Sequence, residues 1–222
     1  MLLGIDMTSC CCQGVDEMFG EKAAEKDLRR YRKRGPSRPT RMLLEAFRRE
    51  GIARATVLDI GGGVGAIQQE LLDAGAERAT SVEASAAYLR AAREEAERRG
   101  HADRVDYRAG DFVALADHVE PADIVTLDRV ICCYPDMEAL VSRSADRALR
   151  LYGLVYPRDS WWVGFGFRFM NLVMRVARRA FRVHLHRTSD VDAVAREHGL
   201  TPRLSRRAGP VWQVAVYARE AR

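Results

Sequence analysis

The chain has 222 residues, a formal net charge of +5 and 47% hydrophobic residues, a composition typical of one globular domain with a substantial core. The positive charge does not by itself indicate nucleic-acid binding, because nearly all basic residues are arginines interspersed with glutamates and aspartates. The five cysteines form two separate clusters of adjacent residues, which predicts free thiols in a cytoplasmic protein. No apolar run is long enough to predict a membrane-spanning helix.

The N-terminal segment, residues 1–37, contains one predicted helix and is a candidate lid. Residues 21–34 have the charge pattern of a helix and end in a basic run before a glycine–proline pair. This basic run has two interpretations, a solvated face that complements the helix dipole or a contact with an anionic substrate. The adjacent cysteines Cys10, Cys11 and Cys12 lack the spacing with which one loop presents two sulfurs to zinc, so we expect no metal site.

The main domain, residues 38–222, begins with a predicted helix from Thr40 to Glu50 and a buried strand that carries Asp59 near its end. The strand passes directly into a glycine-rich turn, which contains Gly61, Gly62, Gly63 and Gly65. Without a Cβ, glycine reaches positive φ cheaply and lets the backbone approach a ligand closely. The helical pattern that follows leaves the first N–H groups of a helix at this turn. Strand, turn and helix together predict a nucleotide-type cofactor site.

The second and third predicted strands each end in acidic residues. The second strand ends at Glu83, where a carboxylate can accept hydrogen bonds from both hydroxyls of a ribose. A helix from Ser85 to Arg99 follows and ends on Gly100. The third strand ends in a Gly-Asp-Phe sequence that contains Asp111 and Phe112.

The remaining elements predict the sheet topology. A fourth strand starts at Ala122, and a helix from Met137 to Arg150 and a fifth strand at residues 152–157 follow. A helix from Ser189 to His198 precedes two strands joined by a short turn. Alternating strands and helices are typical of parallel βαβ units. We therefore predict an α/β fold with a doubly wound, mostly parallel sheet that ends in an antiparallel hairpin strand.

The chain has an acidic residue before a Gly-x-Gly-x-Gly turn, acidic residues at the strand ends described above, and a terminal hairpin. With these features it resembles the class I S-adenosylmethionine-dependent methyltransferases over about residues 40–220. The resemblance implies a Rossmann-like fold and S-adenosyl-L-methionine as cofactor. The resemblance also implies which residues contact the cofactor. Gly61, Gly63 and Gly65 would form the wall against its methionyl part, and Asp59 would orient the glycine loop and the amino group. Glu83 would hold the ribose, Asp111 and Phe112 would contact the adenine, and Asp128 and Arg129 would lie near the methyl donor.

A narrower resemblance concerns residues 127–135 (LDRVICCYP) and the predicted helix that begins at Ser189. Both are similar to magnesium-protoporphyrin O-methyltransferases, which makes a tetrapyrrole-like acceptor one candidate. The histidine of that family falls on Cys133 here, so a histidine-assisted proton transfer is not implied.

The predicted reaction is O-methyl transfer to a small apolar or anionic molecule. A sulfonium cofactor is already activated, so alignment in a dry site supplies most of the acceleration. A carboxylate acceptor would need no base, whereas a hydroxyl or amine would need one, for which Asp128, Tyr134 and His186 are candidates. The alternatives are a nicotinamide-dependent oxidoreductase with the same opening turn and a non-catalytic cofactor-binding protein. The chain lacks the Asn-Pro-Pro-Tyr type of motif that stacks a flipped base, which disfavours nucleic acid as substrate.

The segment at residues 161–182 lies in a predicted substrate or lid insertion at about residues 158–186. It is aromatic and aliphatic, with arginines at helical spacing. These arginines are Arg168, Arg175, Arg179 and Arg182. Three interpretations remain open: an amphipathic helix packed on the core, a lid for a large apolar anionic substrate, or an in-plane helix that associates the protein peripherally with a membrane.

Overall fold

Seven strands form one sheet across the computed structural model, which describes residues 14–220. The sheet has the order β3-β2-β1-β4-β5-β7-β6. The strands are β1 (Thr56–Ile60), β2 (Arg78–Glu83), β3 (Val105–Ala109), β4 (Ala122–Asp128), β5 (Ala148–Pro157), β6 (Leu200–Ala208) and β7 (Trp212–Arg219). The Cys10–Cys12 cluster lies outside the described residues.

The first five strands run parallel, and β7 pairs antiparallel with both β5 and β6. Strand order reverses between β1 and β4, and such a switch point opens a crevice at the carboxyl ends of the strands. This topology confirms the predicted fold class, including the closing hairpin.

Helices cover both faces of the sheet. They are α1 (Val15–Met18), α2 (Glu21–Arg34), α3 (Arg38–Glu50), α4 (Ala66–Asp73), α5 (Ala86–Arg99), α6 (Phe112–Leu115), α7 (Met137–Asp146), α8 (Trp161–Val176) and α9 (Thr188–Glu197). The predicted α5 agrees with the structure, because Ser85 accepts from Tyr88 N as N-cap and Gly100 ends the helix in the left-handed region. None of the helices within residues 14–220 is both long and apolar enough to cross a membrane.

One predicted boundary is wrong. The helix expected to reach Arg150 ends at Asp146, and β5 already begins at Ala148. The Ala-Leu-Arg sequence there favours a helix, but Ala148 pairs with Ala122 at the start of β4. Sheet pairing and the burial of Ala148 therefore override the local propensity.

The N-terminal helix α2 is anchored beside the glycine turn. Its residues Leu28 and Tyr31 are buried in a cluster with Val64 and with Tyr88 of α5. Tyr31 also donates to Glu70 Oε1 at 3.0 Å. This packing places residues before α3 next to the carboxyl ends of the strands.

Candidate active site

A cavity of about 240 Å³ lies at the carboxyl ends of β1, β2, β3 and β4, which is the switch point of the sheet. A second cavity of about 120 Å³ lies next to it, between the glycine turn and the helices α2 and α3. Gly61, Gly63, Asp128 and Arg129 line both cavities. The residues that follow separate strands therefore meet at one place.

The glycine turn requires glycine at specific positions. Gly61, Gly63 and Gly65 all have positive φ, at +62°, +57° and +78°, a region that other residues adopt only under strain. A Cβ on Gly61 would lie 2.5 Å from Val130 Cγ2. Gly65 lines neither cavity; it is the N-cap of α4 and turns the chain into that helix.

Asp59 is buried beneath the turn and lines the second cavity. Its Oδ1 accepts from Thr126 Oγ1 at 2.7 Å, and its Oδ2 makes no hydrogen bond of normal geometry within residues 14–220. The Gln68 backbone N–H lies near enough to the carboxylate to lower its pKa slightly. A Cβ on Gly62 would lie 2.7 Å from this Oδ2. Burial, supported by the negative charge of Asp128, raises the pKa of Asp59 to about 7. An unpaired buried carboxylate oxygen is costly unless a cation or a donor from outside completes it, and the ammonium and sulfonium of S-adenosylmethionine fit that requirement.

Glu83 is held rigidly at the wall of the larger cavity. Its Oε2 accepts from Gly63 N at 3.0 Å, and its Oε1 accepts from Ser85 N at 2.9 Å. Burial raises the pKa of this carboxyl. Each carboxylate oxygen has a second acceptor site, so Glu83 can still accept from the two hydroxyls of a ribose.

Asp111, Phe112 and Tyr134 lie together along the same cavity. Asp111 accepts from Val113 N at 3.0 Å and so caps α6. The Tyr134 hydroxyl donates to both carboxylate oxygens of Asp111, at 3.1 and 3.0 Å. An apolar ring beside an acceptor suits an adenine with its amino group. The candidate base Tyr134 therefore has its proton engaged on the predicted adenine-binding residue.

Asp128, at the end of β4, is also engaged through both oxygens. Thr40 donates to its Oδ2 at 2.6 Å, and Arg129 Nε donates to its Oδ1 at 3.0 Å. Arg129 has a positive φ of 64°, and its backbone N–H donates to Val155 O at 2.8 Å. The strained turn thus directs the Arg129 side chain back onto its neighbour.

Several residues that line the cavities could not be predicted from the sequence. Phe19, Asp27 and Tyr88 line the larger cavity, and Tyr88 donates to Asp27 Oδ2 at 2.6 Å. They meet only because α2 docks on α5, a contact between distant residues that no local spacing reveals. The basic end of α2 serves two purposes: Arg32 pairs with Glu94 and Glu95, whereas Arg30 lines the second cavity.

The segment between α8 and α9 lies over the loop that follows β4. Its Phe181 contacts Phe19 edge to face, with ring centroids 5.4 Å apart. His184 N donates to Cys132 O at 2.8 Å, and His186 Nε2 lies 3.1 Å from Tyr134 O. The insertion is therefore attached to the loop that lines the cofactor cavity.

The two cysteines on that loop are free thiols whose Sγ atoms lie 3.8 Å apart. Cys133 lines the larger cavity. A hydrogen bond with Cys132 lowers the pKa of Cys133. No group of three histidine, cysteine or acidic side chains in the described part of the chain could hold a metal ion.

Residues 57–153 match a family model described as a methyltransferase domain. None of the curated protein sequences matches this chain. The matched range contains every strand end that lines the cavities.

Three solved structures show the same fold. Magnesium protoporphyrin IX methyltransferase from Synechocystis PCC 6803 with bound SAH is 17% identical, with a TM-score of 0.72 over 93% of this chain and 98% of that one. An O-methyltransferase family protein from Burkholderia thailandensis is 18% identical, with a TM-score of 0.68 over 94% and 63%. Mitomycin 7-O-methyltransferase is 23% identical, with a TM-score of 0.65 over 96% and 61%.

The match of residues 57–153 to a methyltransferase domain confirms three of the predictions made from sequence. These are the resemblance to S-adenosylmethionine-dependent methyltransferases, the enzyme class and the cofactor. The acceptor and the catalytic residues remain predictions.

Proposed function

We propose that this chain, whose residues 57–153 form a methyltransferase domain, transfers a methyl group from S-adenosylmethionine to a carboxylate oxygen of an apolar small molecule. The observation that carries the proposal is the state of the three candidate bases. Asp128 is ion-paired with Arg129 and also accepts from Thr40. The Tyr134 hydroxyl keeps its proton on Asp111, and His186 lines neither cavity.

His186, the third candidate, is held by the backbone. Because the carbonyl oxygen of Tyr134 can only accept, the hydrogen bond to His186 Nε2 assigns the ring proton to that nitrogen. The ring is thereby fixed to the loop that it covers. A hydroxyl or amine acceptor would need one of these groups to take its proton, whereas a carboxylate, with a pKa of about 4, is ionised without help.

The residues that hold the cofactor are those described at the strand ends. Glu83 would accept hydrogen bonds from the ribose hydroxyls, and Asp111 and Phe112 would hold the adenine. The carboxylate of Asp59 would stabilise the positively charged end of the cofactor. When bound, the cofactor supplies a methyl group on a positively charged sulfur that needs no further activation. The chain's contribution is to orient both reactants and to exclude water.

One part of the cavity wall suits an apolar acceptor that carries a negative charge. The four carboxylates that also line the cavity are assigned to the cofactor or are already hydrogen-bonded; they are Asp27, Glu83, Asp111 and Asp128. Phe19 and Phe181 form an aromatic contact at the edge of the cavity, and Arg129 supplies a cation at its wall. Asp128 holds the Nε of Arg129, and the guanidinium group has further N–H donors that can reach an anionic ligand.

A tetrapyrrole carboxylate is the first acceptor to test. Residues 127–135 are similar to the magnesium-protoporphyrin O-methyltransferases, and the solved structure of one such enzyme matches this chain over nearly its whole length. Cys133 stands where that family has a histidine, and a carboxylate acceptor does not need that group as a base.

The experiment incubates the purified protein with methyl-labelled S-adenosylmethionine and five kinds of acceptor: protoporphyrin IX, its magnesium chelate, apolar carboxylic acids without a tetrapyrrole, apolar phenols and apolar amines. Labelled products are treated with mild alkali, which hydrolyses a methyl ester to methanol but leaves a methyl ether or N-methyl group intact. We expect alkali-labile label on the carboxylates, a rate at saturating cofactor that stays flat across neutral pH, and full activity in Cys133→Ala.

Alkali-stable label would contradict the carboxylate proposal and identify a hydroxyl or amine acceptor instead. Alkali-labile label on non-tetrapyrrole carboxylates would retain the reaction and exclude the tetrapyrrole. Loss of activity in Cys133→Ala, with cofactor binding unchanged, would show that the thiol acts as a base and would also contradict the proposal.

A further inference from the structure

The helix α8 exposes its apolar side instead of burying it. Trp161 is 85% exposed, Phe165 68%, Phe169 62% and Val176 76%. These residues recur every three or four positions, or multiples of that spacing, and so lie on one face of the helix. Leu172 and Val173 extend the face and are about half exposed. The packing interpretation of this segment is therefore wrong for the aromatic face, since only the opposite side, through Val163 and Met174, is buried.

Arginines border this apolar face. Arg168 and Arg175 lie along one edge of α8, and Arg178 and Arg179 follow its end. The prediction that Arg179 and Arg182 continue the helical spacing of Arg168 and Arg175 is wrong, because the helix ends at Val176. Between residues 161 and 187 the sequence contains six arginines and no aspartate or glutamate. Within residues 14–220, no carboxylate forms an ion pair with any of these four arginines.

The buried side of α8 is fastened to the chain that leads to the cavity. Asn171 Nδ2 donates to Val183 O at 2.8 Å, and Val183 N donates to Asn171 Oδ1 at 2.9 Å. The same returning chain carries Phe181, which contacts Phe19 at the cavity. The helix with the outward apolar face is therefore attached to the chain that borders the active site.

We propose that α8 lies in the plane of an anionic membrane surface, with Trp161, Phe165 and Phe169 in the lipid and the neighbouring arginines on the headgroups. A helix of sixteen residues is about 24 Å long, and an apolar face bordered by cations is the pattern of an interfacial helix. Tryptophan and arginine are both suited to the headgroup region. The proposal does not depend on which acceptor is methylated.

Charge distinguishes a lipid surface from a second copy of this chain. Two copies joined through α8 would bring the arginines at its edge and C-terminal end near one another, with no acidic residue of the segment to offset them. An anionic bilayer offers both an apolar layer and negative headgroups, each of which complements part of the helix. Each arginine near such a surface contributes about fivefold in partitioning.

The experiment measures co-sedimentation of the full chain with vesicles of phosphatidylcholine alone and of phosphatidylcholine with about 30% phosphatidylglycerol. Phe165→Ser/Phe169→Ser tests the apolar face, with Leu149→Ser as control because Leu149 is 54% exposed on β5. Arg175→Glu tests the charge, with Arg203→Glu as control because Arg203 is exposed on the edge strand β6.

We expect binding at least about tenfold stronger with phosphatidylglycerol present, and a loss of about tenfold or more in Phe165→Ser/Phe169→Ser and in Arg175→Glu. The two control variants should retain binding within about threefold. Equal binding to both kinds of vesicle, or an equal loss in Arg203→Glu, would overturn the proposal. So would self-association without lipid, measured by sedimentation velocity, if Phe165→Ser/Phe169→Ser abolished it, because α8 would then be a subunit interface.

Discussion

The buried carboxyl group of Asp59 lowers the folding stability when it is ionised, and the same charge favours cofactor binding. Burial raises its pKa from 3.8 to about 7, so the folded state holds this proton more tightly than the unfolded state. The group therefore favours folding at acidic pH, and this contribution falls as the pH rises from the unfolded pKa to the folded pKa. Each unit of pKa shift corresponds to about 1.4 kcal/mol. Ionised Asp59 thus costs the folded protein without cofactor about 4 kcal/mol above about pH 7.

The substitution Asp59→Asn removes this ionisation and keeps an oxygen that can accept from Thr126. The new amide N–H group takes the place of the unpaired Oδ2 and costs about 1–3 kcal/mol if it finds no acceptor. We expect the variant to be more stable than the wild type by about 1–3 kcal/mol at about pH 8.5, and this advantage to shrink by about 2 kcal/mol at about pH 5.5. Affinity for S-adenosylmethionine should fall by about tenfold or more, because a charged partner is lost.

Urea denaturation of both proteins at about pH 5.5 and about pH 8.5 measures the stability, and calorimetry measures the affinity. Asp136→Asn is the control, because Asp136 is an exposed N-cap and asparagine caps a helix equally well. If Asp59→Asn were no more stable than the wild type at the higher pH, or if its advantage did not change with pH, the reasoning from burial would be refuted.

Three further predictions concern the cofactor cavity. Glu83→Ala should weaken S-adenosylhomocysteine binding by about tenfold to a hundredfold in calorimetry, because two hydroxyls lose a charged acceptor; unchanged affinity would remove Glu83 from the ribose site. Gly61→Ala should lower the unfolding temperature by several degrees, because its Cβ would meet Val130 Cγ2 at 2.5 Å. The control Gly51→Ala has a positive φ but open space around the new Cβ, so it should lose only about 1 kcal/mol through backbone strain. Equal losses of stability in the two variants would argue against the contact with Val130. Tyr134→Phe should change affinity by less than about fivefold and leave the pH–rate profile unaltered, and loss of an alkaline limb would instead identify the hydroxyl as a base.

The cofactor side of the site could be predicted from sequence because its residues follow strand ends. Asp59, the glycine turn, Glu83 and Asp111 each lie near or just beyond the carboxyl end of a predicted strand, and parallel strands bring these ends to one edge. Periodicity gives the strands, and the topology then gives the site. No long-range contact had to be known.

The other side of the site depends on contacts between distant residues. Thr40 reaches Asp128, and Asp27 reaches Tyr88, only after the helices dock on the sheet. Local propensity also misplaced the start of β5, where pairing with β4 decides the conformation. In the insertion, the pattern of apolar residues correctly indicated an amphipathic helix. Periodicity does not say whether an apolar face meets the core or the solvent, however, so the exposure of α8 could not be predicted.

The ion pairs that anchor α2 determine which cover of the active site can open. The Glu95 carboxylate is fully buried and binds Arg32 of α2 as well as Arg98 and Arg99. Separating α2 from α5 would remove one of the three partners of this charge and would also expose Leu28 and Tyr31, whose burial contributes about 1.5–3 kcal/mol each. The chain that returns from α8 is held by the Phe19–Phe181 contact, which contributes about 1 kcal/mol. It is also held by the hydrogen bonds of His184 and His186 to the loop after β4, of about 1 kcal/mol each; breaking them leaves no charge unpaired. Opening the cavity therefore costs less free energy at the chain that returns from α8 than at α2. An acceptor dissolved in a bilayer could then reach the cavity beside the helix that touches the lipid, without first crossing bulk water.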